Sequence, residues 1–219
     1  MSLLVHGIVE AGDLDASGLG LDDQPLFGLT EGPLEAIVSD HEGRAPEPSA
    51  AALRDYERTV RALMDRGAIL PAQFGSVLPD EDAVRTLLRG RHRDLLARLR
   101  QVRGAVEIGL RASWSDEATA GLDPRPSSGS SYLRERLELR QNARRVASEL
   151  DALTALARGT RRALAPRPDL PVLDAYLVDR GRVREFVALV EQLDDRLDEV
   201  ELVCTGPWPP YSFAEGAPV

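Results

Sequence analysis

The chain has 219 residues, 43% of them apolar and 29% charged, with a net charge of −9 at pH 7. That length builds one large core or two small ones, and the ordinary apolar share is that of a soluble globular protein. The acidic balance argues against non-specific nucleic-acid binding, no apolar run approaches the ~18–20 residues that a membrane span needs, and the N-terminus lacks the basic start of a signal peptide.

One cysteine, Cys204, excludes an internal disulfide framework and fits a reducing cytoplasm. All 27 basic residues are arginine. Residues 1–50 hold ten acids and one arginine, whereas residues 81–112 hold eight arginines against four acids. An acidic face and a basic face on one molecule favour self-association or a charged protein partner, and such association weakens with salt.

Residues 3–10 read as a strand, residues 11–33 as a long Gly- and Asp-rich loop with a break at Pro25-Leu26-Phe27, and Leu34 to Ser39 as a second strand. Pro46-Glu47-Pro48-Ser49 announces a helix with Ser49 as N-cap, Leu53, Tyr56, Val60 and Leu63 as its buried stripe, and Gly67 as its end. Ala68 to Phe74 is a short apolar strand. Asp80-Glu81-Asp82 opens the next helix, where acids suit the dipole, and Val84, Leu88, Leu95, Leu99 and Val102 form its inner face. Ala105 to Ala112 alternates as a further strand.

The polar stretch 115–130 reads as a linker. A long helix comes next, with Leu139, Ala143, Val146, Leu150, Leu153 and Ala157 as a heptad-like seam, Leu133 and Leu137 extending the apolar surface upstream, and Pro166-Arg167-Pro168 as its stop. Val172 to Val178 is a strand, and Val183, Phe186, Val190, Leu193 and Leu197 stripe another helix. Val200 to Thr205 is the last strand, parallel to or a near neighbour of the one before it through a crossover helix. After it, three prolines within Gly206 to Phe213 stiffen an extended arm carrying Trp208, Tyr211 and Phe213. Such an arm must be covered, either by the chain itself or by a partner.

The expected fold class is therefore α+β. Two small ferredoxin-like-related halves have helices packed on mixed or antiparallel sheets, with a long helix and a Pro-rich aromatic C-terminal tail. The domains are 1–114 and 131–219, the latter including the tail, joined by 115–130.

Little in the pattern points to chemistry. His6, His41 and His92 lack metal-ligand spacing, Cys204 sits on a core strand as an inert thiol, and Asp194, Asp195, Asp198, Glu199 and Glu201 read as a solvated helix end. There is no phosphate-binding glycine loop. No catalytic, cofactor or metal residues are assigned. The arginines of 85–103 lack interleaved aromatics and read as an exposed helix surface.

Gly206-Pro207-Trp208-Pro209-Pro210-Tyr211-Ser212-Phe213 resembles the C-terminal signature of the gas-vesicle accessory proteins of the F and L type. Leu3 to Val9 resembles that family's first strand. Ile69-Leu70-Pro71-Ala72-Gln73-Phe74-Gly75 resembles its central motif, with Ala72 and Gln73 departing from it, and Ala175-Tyr176-Leu177-Val178 fits a fourth block. These blocks run through nearly the whole chain in order.

The resemblance implies a non-enzymatic cytoplasmic accessory protein, associated with gas vesicles. It would bind the apolar shell subunit and assist its assembly, alongside other accessory proteins, without cofactor. An escort of this kind needs an apolar groove or an open sheet edge. The expected contact residues are Ile37 and Phe74 on the N-terminal sheet and Trp208, Tyr211 and Phe213 in the tail. Two other readings remain: a scaffold binding other accessory proteins through the charged faces, and a small dimeric enzyme holding haem or flavin. The latter requires a histidine facing a pocket.

Overall fold

The computed structural model describes residues 2–43, 45–115, 129–164, 172–198 and 200–214, with side chains outside 129–136, 139 and 164. The expected linker within 116–128, the stop at Pro166-Arg167-Pro168 and Glu199 lie outside the described residues, as do the side chains of Leu133 and Leu139. The fold is α+β. It divides into two compact units, Met1–Val106 together with Trp208–Val219, and Glu107–Pro207. The tail thus groups by contact with the first unit, not with the C-terminal part to which sequence order alone would assign it.

The first unit is built on β1 (Ser2–Glu10), which is buried from Leu3 to Val9. Burial of every residue of that stretch, on both faces, fits the centre of a sheet rather than a half-exposed edge. β1 pairs antiparallel with β3 (Leu34–His41), and β3 pairs with β2 (Leu26–Glu31) through a turn in which Gly32 adopts φ 57°. β2 lies in the stretch that reads from sequence as loop. It is an edge strand whose residues are mostly half-buried, so it lacks the clean alternation that marks a strand.

The expected strand over 68–74 is shorter. β4 (Leu70–Pro71) pairs with β1, the chain turns at Gly75 (φ 84°), and β5 (Val77–Leu78) returns to β1. Pro71 has no N–H to extend the ladder. Helix α1 (Ala50–Arg66) starts where Ser49 Oγ accepts from the Ala52 N–H at 3.1 Å, and it ends at Gly67. Tyr56, Val60 and Leu63 face the core as expected, but Leu53, in the first turn, is 44% exposed. Helix α2 (Glu81–Val102) is capped by Asp80, and all five residues of its expected inner face are buried.

Part of the charge asymmetry is paired inside this unit. On α2, Arg89 pairs with Glu31 at 2.9 Å, and just past its end Arg103 pairs with Glu10 and Asp13 at 2.8 Å. Arg85–Glu81 and Arg98–Asp94 pair along the helix. Several of the acids and arginines that suggest two complementary faces are therefore each other's partners.

The second unit runs β6 (Ala105–Trp114), α3 (Gly129–Glu149), β7 (Ala157–Leu164), β8 (Val172–Asp179), α4 (Val183–Asp194) and β9 (Val200–Trp208). Its strand order is β7-β8-β6-β9. The element order β-α-β-β-α-β is that of the split βαβ motif. β6 lies between β8 and β9, so the last two strands are near neighbours with one strand between them.

The long helix ends at Glu149 and tightens into a 3-10 turn, Leu150–Leu156. Ala143, Val146, Leu150 and Leu153 are buried, but Leu137 is exposed. The chain then enters β7 instead of continuing as helix. The β7 sequence, ARGTRRAL, has too few apolar residues to show a strand period. Phe186, Val190 and Leu193 of α4 are buried, and Tyr176 meets Phe186 at 5.1 Å. Asp174, also buried, accepts from Arg162 Nε at 2.9 Å and from the Tyr176 hydroxyl at 2.7 Å. Burial is the first cause holding the Tyr176 phenol above its usual range, and the Asp174 bond adds to it. β9 runs three residues past the expected end at Thr205, through a cis Gly206–Pro207 bond to Trp208.

Gly7 packs directly against the neighbouring strand segment. A Cβ there would meet the Ile69 side chain at 2.5 Å and the Leu70 carbonyl oxygen at 2.9 Å. Gly7→Ala should therefore lower the unfolding free energy by about 1–3 kcal/mol in urea denaturation, through overpacking.

Candidate functional site

A groove of about 540 Å3 opens in the first unit, lined by Leu53, Arg54, Tyr56, Glu57, Gln73, Phe74 and Tyr211. Three elements build it. The N-terminal half of α1 gives Leu53 to Glu57, the turn after β4 gives Gln73 and Phe74, and the tail gives Tyr211. That volume is in the range of ligand-sized clefts, roughly 300–1,000 Å3, and the lining is mostly apolar and aromatic.

Tyr56 holds these parts in register. Its single hydroxyl proton serves two carbonyls, Val5 O on β1 and Ala72 O before the turn, each at 3.0 Å. One face of its ring stacks on His6 at 5.3 Å, and Phe74 meets it edge-on at 5.4 Å. Burial, and secondarily Tyr211, raises the Tyr56 phenol well above its ordinary range, so it remains a neutral donor.

His6 is fully buried behind Tyr56, with Nε2 at 3.0 Å from Ser39 Oγ and Nδ1 without a partner among the described residues. Burial lowers its pKa to about 4, so it stays neutral at ordinary pH. It does not line the groove, and neither His41 nor His92 does.

The tail runs along α1. Arg61 lies 4.7 Å from the centroid of the Trp208 ring, a cation–π contact, and pairs with Glu57 at 2.8 Å. Pro209 and Pro210 are buried, and a 3-10 turn (Tyr211–Phe213) folds Phe213 into the core at 1% exposed. Of the five residues expected to contact a partner, Phe74 and Tyr211 line the groove and Trp208 is half-buried beside Arg61. Ile37 and Phe213 present no surface.

Sequence pattern does not single out Leu53, Arg54 or Glu57 as site residues. Leu53 falls on the period of the buried stripe, so periodicity alone places it inside. The cue that points to it is its position in the first helical turn, where a stripe often outruns the core.

Among the described residues, no group of three or more His, Cys, Asp or Glu could hold a metal. Cys204 is half-buried, and burial, then Glu191, pushes its pKa up to about 11, which keeps it a thiol at neutral pH. No helix of the described residues is long and apolar enough to cross a membrane.

The buried histidine gives a pH signature. The unfolded chain binds a proton at His6 near pH 6.5, whereas the folded chain binds it only near pH 4. The stability that neutral His6 supports is therefore complete above pH 6.5 and drains away as pH falls to about 4, by roughly 3 kcal/mol. In denaturation series across that window, His6→Gln should show a correspondingly shallower loss than the parent chain. Tyr56→Phe, which leaves two buried carbonyls without their shared donor, should cost about 1–3 kcal/mol at neutral pH.

Comparison with known proteins identifies the family. The sequence profile described as gas vesicle synthesis protein GvpL/GvpF matches residues 2–215. Gas vesicle protein F of Streptomyces sp. (strain CB03234) is 32% identical across 98% of this chain and 100% of its own length. Gas vesicle protein L of the same organism is 32% identical across 96% of this chain and 79% of its own. The crystal structure of the gas vesicle protein GvpF from Anabaena sp. PCC7120 shares the fold, with a TM-score of 0.83 over 98% of this chain and 96% of that one at 20% identity. The GvpF crystal structure from Microcystis aeruginosa gives a TM-score of 0.74 over 98% and 99% of the two chains, at 18% identity. The chain belongs to the gas vesicle synthesis protein GvpL/GvpF family.

Proposed function

We propose that this chain acts without enzymatic chemistry in gas vesicle formation, as a cytoplasmic escort that binds the apolar shell subunit and assists its assembly. Family membership supports the setting. The observation that carries the escort role is the groove itself, which brings exposed Leu53 and the partly exposed rings of Phe74 and Tyr211 into one mostly apolar and aromatic lining.

The physics matches the task. A shell subunit with an apolar gas-facing side aggregates when released unescorted, because contiguous apolar surface and open strand edges self-associate. An escort must cover such surface reversibly. A preformed groove does this with little ordering cost, because its walls are already held by Tyr56 and by the tail. An escort also has no need of a nucleophile or a general base. The buried His6 and the protonated Cys204 are suited to packing, not to turnover.

Co-expression of the full chain with the shell subunit tests this. The subunit should remain in the supernatant after sedimentation and co-purify with the chain. Precipitation to the same extent as when it is expressed alone would overturn the escort role.

A further inference from the structure

The groove has a polarity that the escort reading does not use. Two charged residues line it, Arg54 and Glu57. Glu57 is neutralised by Arg61 at 2.8 Å, and Arg61 in turn is occupied by the Trp208 ring. On the same helix Arg58 pairs with Asp55 at 3.1 Å. Arg54 is exposed and has no ion-pair partner among the described residues. One unbalanced positive charge therefore stands on the lip of an apolar, aromatic groove.

Resting on the escort reading, we infer that the groove takes a short segment of the shell subunit in which a bulky apolar or aromatic side chain stands beside a carboxylate. The side chain enters against Leu53, Phe74 and Tyr211, and the carboxylate meets Arg54. Complementarity of charge commits the site to this occupant. An arginine guanidinium offers a carboxylate two parallel N–H donors, and pairing at the edge of an apolar cleft is less screened than in open water. In a chain of net charge −9, a lone cation does not steer acidic partners from a distance, so Arg54 acts at short range and fixes how the segment sits.

The tail takes part as a wall. Tyr211 stands in the lining because the turn after Pro210 holds it there, while Phe213 and the Arg61–Trp208 contact anchor the turn at its two ends. Binding therefore depends on the tail although the tail need not leave its place.

The test is pull-down of co-expressed shell subunit by the full chain and by Arg54→Glu, Arg54→Lys, Leu53→Asp and, as control, Arg93→Glu. Arg93 lies exposed on α2 and does not line the groove. Thermal melting verifies that each variant folds. Arg54→Glu and Leu53→Asp should each lower captured subunit about tenfold, with Arg54→Lys and Arg93→Glu within about twofold of the parent. If the parent captures the subunit and Arg54→Glu captures as much, the groove assignment is overturned and the escort role stands. If the parent captures none, both fall. If Arg54→Glu instead abolishes self-association of the chain in sedimentation, the groove belongs to a second copy and the inference is overturned.

Discussion

The hydroxyl of Tyr56 is the constraint on which the first unit depends. It lies where a helix, a central strand and an irregular turn meet, and it satisfies the carbonyls of Val5 and Ala72 at once. Two buried acceptors sharing one donor leave that position no equivalent substitute, because phenylalanine lacks the proton and no smaller polar side chain has the reach. The ring does a second job. With His6 on one face and Phe74 at its edge, it turns the buried end of the sheet into the floor of an exposed groove. The same side chain thus ties the core together and shapes the surface that a partner would meet.

Charge is arranged to the same end. The acid-rich N-terminal stretch and the arginine-rich segment of α2 and its C-cap meet in pairs such as Arg89–Glu31 and Arg103–Glu10. Partly exposed pairs of this kind each contribute little to stability, about 0–1 kcal/mol. Their larger consequence is that part of the acid-rich and arginine-rich sequence is paired internally. The groove on the other helix combines apolar area with the exposed charge of Arg54. A protein that must handle an aggregation-prone subunit gains from being otherwise inert.

Most of the architecture is legible in the residues, and the exceptions have local causes. The strands β1, β3, β6 and β8 carry dense β-branched or alternating apolar residues, and the two capped helices carry Ser49 and Asp80 at their starts. β2 escapes the pattern because it is an edge strand containing Gly28 and coming just after Pro25. β7 escapes it because its arginines and small residues show no period, while the preceding seam still has helical spacing. Within the site, the aromatic residues are legible through their motifs, whereas Leu53 and Arg54 are not. Their role depends on where the first turn of α1 comes to rest over Phe74 and Tyr211, and no one-dimensional pattern contains that. Ile37 fails as a surface residue for the opposite reason, since the strand that carries it is buried on both faces over that stretch.

The most direct measurement is amide hydrogen exchange on the full chain with and without the shell subunit. The account predicts added protection confined to the groove's three walls: residues 50–57, residues 72–75 and residues 208–214. Protection that falls instead on β7, α4 or the outer face of α2, with those three segments unchanged, would contradict it.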